Sequence, residues 1–198
     1  MSKDKAMGMP TSTIKCNRCD YGVSSMLLWG EYVYADQQDE FSCNRTYGGC
    51  KDCAEITAIE DFSDISAPLK LIQRRSAWLR DESASLWHHL LCLFSKAKRK
   101  YSQNHLNDIN KAVKTIALAN KRRGTERCLC CGSSEVQTLN VIDEILQTKN
   151  TLGINNGNFA HPDCGGEFFI ENNNIWFSVI GKKQIYSPDG TLIEKIIY

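Results

Sequence analysis

The chain has 198 residues, 42% hydrophobic and 24% charged, with 24 Lys and Arg against 23 Asp and Glu for a formal net charge of +1. That length suits one ordinary domain or two small ones with a connector, and a near-neutral total gives little long-range steering towards a polyanion. No apolar run approaches the ~20 residues that cross a bilayer, so no membrane-spanning helix is expected; ten cysteines without an export signal point to metal ligation rather than disulfides.

In chain order, residues 1–13 are polar, lack the apolar core of a signal peptide and are expected to be disordered, in keeping with a cytoplasmic, reducing location. Cys16 and Cys19 then stand three residues apart on a tight turn, where two sulfurs can take adjacent corners of one tetrahedron. The run from Ser25 to Ala35 is rich in β-formers, and Asp36 to Glu40 is a polar turn before Phe41, so a hairpin arm is expected. Cys50 and Cys53 repeat the first spacing. Ile56 to Ile59 reads as a closing strand and the acidic Glu60 to Asp64 leads out of an N-terminal module over 14–65.

Ser66-Ala67-Pro68 opens a helix with an N-cap and a first-turn proline. Leu69, Ile72, Ser76, Leu79, Ser83, Leu86, Leu90 and Leu93 recur at helical steps. After a break over Lys96 to Tyr101, Asn104 caps a second helix striped by Leu106, Ile109, Val113 and Ile116 and ended by Gly124; the stripes can bury each other as an antiparallel hairpin over 66–124. His88 and His89 point to separate environments; Cys92, four residues after His88, could share a helix face and in principle a metal with it, but is expected as a packed core cysteine. Residues 66–127 carry +10, against −5 before and −4 after them. Lys96, Lys98, Arg99 and Lys100 at the tip, Lys121, Arg122 and Arg123 at the base, and Arg74, Arg75 and Arg80 along the first helix could meet an anionic partner. They could equally be solvated or lie against the chain's own acidic ends.

The third part, 125–198, holds Cys128/Cys131 and His161/Cys164 at the same spacing, with a glycine- and asparagine-rich loop over Asn150 to Asn158 between them. Strands are expected at Phe168 to Ile170 and Ile175 to Ile180 around a turn at Asn172 to Asn174. Pro188-Asp189-Gly190 turns the chain into an edge strand, Leu192 to Ile197. Gly22, Gly132 and Gly165 follow second ligands, where the backbone needs positive φ. These turns resemble the zinc knuckles of the zinc-ribbon and rubredoxin-like superfamily, over residues 16–62 and 128–180. The resemblance implies that each metal is shared by two knuckles at strand ends. Pairing by nearness gives Cys16, Cys19, Cys50 and Cys53 as one site and Cys128, Cys131, His161 and Cys164 as the other, for two Zn2+ per chain. Cys43 could replace a ligand of the first, and Cys130 could displace Cys131, which Gly132 favours.

The expected fold is α+β: two small zinc-ribbon-like β modules joined by a basic antiparallel helical hairpin. Complete four-ligand shells favour structural over catalytic metal. No G-x-S-x-G, H-E-x-x-H or phosphate-binding glycine loop occurs, so no enzymatic activity is expected. The reading is a non-catalytic recognition protein, an adaptor, regulator or inhibitor, docking a protein partner. Trp29, Tyr32, Tyr34, Trp176 and Phe177 serve it as interface anchors or as the hairpin's own core. The alternative is a nucleic-acid-binding protein that sets the basic hairpin against phosphates.

Overall fold

The chain is a mixed α+β protein whose computed structural model describes residues 9–36, 39–83, 94–139, 160–177 and 181–198. Among the described residues, ten strands, β1 (Met9–Cys16), β2 (Gly22–Ser24), β3 (Glu31–Asp36), β4 (Asp39–Ser42), β5 (Arg45–Cys50), β6 (Glu55–Glu60), β7 (Val136–Thr138), β8 (Phe168–Phe177), β9 (Lys182–Tyr186) and β10 (Leu192–Ile197), accompany helices α1 (Ser66–Ser83) and α2 (Lys96–Arg122). The strands form three small sheets ordered β2-β1-β8, β10-β9-β3-β4 and β6-β5-β7. Every sheet therefore joins strands from before the helices to strands from after them. All neighbours are antiparallel except β3 and β9.

Several expected elements stand where the sequence places them: the β3–β4 hairpin, β6, and the turn at 187–190 into β10 at a sheet edge. The strand before that turn is β9 at Lys182–Tyr186 and not the expected Ile175 to Ile180, of which 175–177 belong to β8 and the rest lies outside the described residues. Others differ for physical reasons. Residues 9–13 are not disordered but belong to β1, because β8 offers a partner along their length. That pairing also keeps Asn172 to Asn174 within β8, with a bulge at 174–175, where a turn is expected from composition alone. Met26 to Leu28 form a 3-10 turn rather than a strand, with the Tyr32 hydroxyl donating to the Leu27 carbonyl at 2.8 Å. The unexpected β5 contains Gly48, where a Cβ would sit 2.4 Å from Ile59 Cδ1, so the glycine marks close approach rather than a break.

The helices run antiparallel, with Arg75 3.0 Å from Asp108 and the Trp78 ring stacked on His105 at 4.0 Å. Ser95 caps α2 by accepting from the Lys98 N–H, so Lys96 to Tyr101 are its first turns and not a break. The buried face of α2 is His105, Ala112, Thr115, Leu118, Ala119 and Arg122, while Leu106 and Val113 are exposed. The large apolar side chains of this layer come from the sheets and the segment after β6: Tyr32, Tyr34, Phe41, Phe62 and Tyr186 form a core into which α2 inserts only Leu118 and Ala119. Small residues let the helix approach these rings, which a stripe of large apolar positions cannot reveal. Tyr32 and Tyr34 are thus core residues, whereas Trp29 is exposed. His88, His89, Cys92, the 150–158 loop and the side chains of Trp176 and Phe177 lie outside the described residues. Among the described residues no helix is long and apolar enough to cross a membrane.

His105 is buried between Trp78 and Tyr101, and neither ring nitrogen has a hydrogen-bond partner. Burial, reinforced by the Arg75 charge and opposed by Asp108, lowers its pKa from the usual 6.5. The fold therefore favours the neutral ring: its contribution is intact above about pH 6.5 and is lost as pH falls below that value. His105→Phe keeps the stacked ring and removes two unsatisfied atoms. It is expected to stabilise the chain by about 1–2 kcal/mol and to flatten the acid limb of a stability–pH curve measured by urea unfolding.

Candidate metal centres

Two groups of four side chains converge so that their ligand atoms all lie within 4.8 Å of one another: Cys16, Cys19, His161 and Cys164, and Cys50, Cys53, Cys128 and Cys131. All eight residues named from spacing are used, but the pairing by nearness is corrected: each centre takes one knuckle from before the helices and one from after them. The centres are nested, the all-cysteine one lying inside the span that the histidine-containing one closes.

Local hydrogen bonds explain the arrangement. The Asn17 N–H donates to the Glu167 carbonyl and the Glu167 N–H to Asn17 Oδ1, at 3.0 and 2.9 Å. In the inner centre the Lys51 N–H donates to the Glu135 carbonyl at 3.0 Å, beside a Lys51–Glu135 ion pair. The later knuckles share one internal pattern: Gly165 donates to His161 O and His161 to Gly166 O, as Gly132 donates to Cys128 O and Cys128 to Ser133 O. Their glycines adopt φ of 64° and 78°. The earlier knuckles do without such a glycine. Gly22 opens β2 without positive φ, and Ala54, the residue after Cys53, takes φ 54° itself, a strain costing about 1 kcal/mol. The sequence carried this distinction: two knuckles have glycine directly after the second ligand and two do not, and each centre takes one of each kind.

The distances fit one ion per centre. Metal–sulfur bonds near 2.3 Å put tetrahedral sulfurs about 3.8 Å apart, and a sulfur and an imidazole nitrogen about 3.5 Å apart. Cys50 and Cys131 Sγ are 3.6 Å apart and Cys53 and Cys128 Sγ 3.8 Å. Cys19 Sγ lies 3.3 Å from His161 Nδ1, which is 3.2 Å from Cys164 Sγ; Cys16 and Cys164 Sγ are 3.4 Å apart. None of these cysteines is in a disulfide. Backbone N–H groups of Arg18, Cys53 and Cys130 donate to Cys16, Cys50 and Cys128 sulfurs, each at 3.4 Å, the outer-sphere bonding that thiolates attract. His161 is buried beside Tyr21 and Phe168, its ring fixed with Nδ1 towards the sulfurs.

Neither alternative ligand joins a centre. Cys43 is buried in the aromatic core, where desolvation pushes its thiol up to about 12. Cys130 is exposed. Gly166 packs on the outer centre so closely that a Cβ would meet Cys16 Sγ at 2.3 Å, whereas one at Gly165 would meet nothing nearer than 3.8 Å. Gly166→Ala is therefore expected to lower metal content by one ion per chain. Gly165→Ala should keep both ions and lose only about 1 kcal/mol to backbone strain, as plasma emission and urea unfolding would report.

The basic residues fall into two sets. Lys96, Lys98, Arg99 and Lys100 lie in the first turns of α2, and Lys121 and Arg123 are exposed at its end, the Arg123 Nε donating to Phe62 O. Arg122 instead is buried: its Nη1 and Nη2 donate to Glu60 Oε1 and Oε2 at 2.7 and 2.6 Å. Lys114 reaches Asp39 at 2.7 Å. The charge of these two is spent on the chain's own acidic segment. No protein-family model, curated protein or solved structure matches this chain.

Proposed function

We propose that the chain is a non-catalytic recognition protein of the zinc-ribbon kind, holding one structural Zn2+ in each centre and docking a protein partner. The observation that carries the reading is the complete set of four protein ligands at each centre. A tetrahedral ion so enclosed has no position for water or substrate, and three or four thiolates with at most one imidazole suit zinc over harder cations. Such an ion supplies folding energy and rigidity. The four cationic residues opening α2, with no acidic residue in its first turn, favour a second reading, a phosphate contact to nucleic acid.

Metal analysis with a nucleic-acid shift assay on the same zinc-loaded sample separates these readings. Two zinc ions per chain with no shift at physiological salt is the expected result. Two ions with salt-sensitive binding, lost on reversing Lys98, Arg99 and Lys100, would replace the protein partner with nucleic acid, and fewer than two ions would sink the structural-zinc reading.

A further inference from the structure

The two helices leave between them a groove of about 570 Å³ that neither metal centre uses, within the ~300–1,000 Å³ of ligand-sized clefts. Pro68 and Leu71 of α1 and Ala112 and Thr115 of α2 line it. The Thr115 hydroxyl is already satisfied by the Lys111 carbonyl at 3.0 Å, so this part of the lining has no side-chain donor to spare. Lys70, Arg74 and Lys111 stand around it, all exposed. Its one carboxylate, Asp108, is held 3.0 Å from Arg75 and so is neutralised within the wall. Asp64 and Asp39 act on Lys70 and Lys111 only from a distance, and none of the three cations forms an ion pair with another described residue. An apolar lining inside a cationic rim is complementary to apolar side chains flanked by carboxylates.

We infer that this interhelical groove docks an acidic peptide segment of the protein partner, with leucine-sized side chains on the lining and carboxylates against Lys70, Arg74 and Lys111. This rests on the protein-recognition reading above and names the chemistry of the partner. Nucleic acid fits the groove less well, because binding single strands calls for rings on which bases stack. The nearby rings, Trp78 and Tyr101, are packed on His105 and on each other instead.

The test is fluorescence anisotropy of the full zinc-loaded chain with a labelled dodecapeptide of Glu-Leu-Leu-Glu repeats. Saturable binding is expected, weakened about tenfold or more by Arg74→Glu with Lys111→Glu and also weakened by Leu71→Ser, whereas a Lys-Leu-Leu-Lys peptide should not bind. Absence of binding, binding indifferent to these substitutions, or displacement by an oligouridylate of equal length would overturn the inference. Zinc content and far-ultraviolet circular dichroism are measured on every variant. If two ions and the fold persist while the peptide fails to bind, the groove assignment alone falls; if zinc is not held, the structural-zinc reading falls with it.

Discussion

Glu60→Ala is expected to cost about 3–5 kcal/mol, a large part of the ~5–15 kcal/mol that holds a typical domain together. Glu60 is fully buried at the end of β6 and accepts from both Arg122 nitrogens, from the Tyr34 hydroxyl at 2.7 Å and from the Arg127 N–H at 2.9 Å. Arg122 also donates to Pro188 O at 3.0 Å. One carboxylate thus ties the end of α2 and the segment before the third knuckle to β3 and β6, and through Arg122 to the β9–β10 turn. Removing it leaves a guanidinium and a phenol desolvated and unpaired; burial already pushes the Tyr34 hydroxyl well above the usual tyrosine range. Glu60→Met with Arg122→Met and Tyr34→Phe takes the charges away together and is expected to recover most of the loss. Urea midpoints at constant m-value check both arms, and an unchanged midpoint for Glu60→Ala would mean that the pair contributes nothing.

On the structural-zinc reading, loss of either ion should have a still larger effect, since structural zinc contributes on the order of 10–16 kcal/mol of apparent binding energy to small metal-dependent folds. The crossed pairing makes a stoichiometric prediction. Cys16→Ser and Cys164→Ser should each remove the same ion, and the double variant should still retain one. Cys16→Ser with Cys50→Ser should remove both. Pairing by nearness predicts the reverse, two ions lost from the first double variant and one from the second. Because every sheet spans both terminal segments, loss of one ion should broaden unfolding across the chain rather than release one end of it.

The candidate ligands were legible because spacing is local: two donors three residues apart must share a turn whatever the rest of the chain does. Which knuckles meet was not legible by distance along the chain, since strand pairing is decided by complementary edges and burial. Cys16 lies beside Phe168 because β1 runs the length of β8, not because the intervening chain is short. The contrast between Gly132 and Gly165 on one side and Ala54 and Asp20 on the other was the available clue. The helical hairpin was readable from periodicity, but its inward face was not. Leu118, Ala119 and Arg122 are chosen by the rings and the carboxylate they meet, and those lie mostly in sheets distant in sequence. Net charge by segment fared better: Lys114 and Arg122 do turn to the acidic N-terminal part.

The nested order of the centres gives metal loading a direction. The outer centre joins Cys16 to Cys164, 148 residues apart, and the inner one joins Cys50 to Cys131, 81 apart. In the unfolded chain, an ion bound first at the inner ligands cuts out the long middle section and roughly halves the loop that the outer ion must close. Each halving saves about 0.6 kcal/mol of closure entropy, close to threefold in affinity. On the structural-zinc reading, the inner ion would therefore prime the outer one. By linkage the outer ion would tighten the inner by the same factor, so a half-loaded chain would be less populated during zinc uptake than two independent sites would make it.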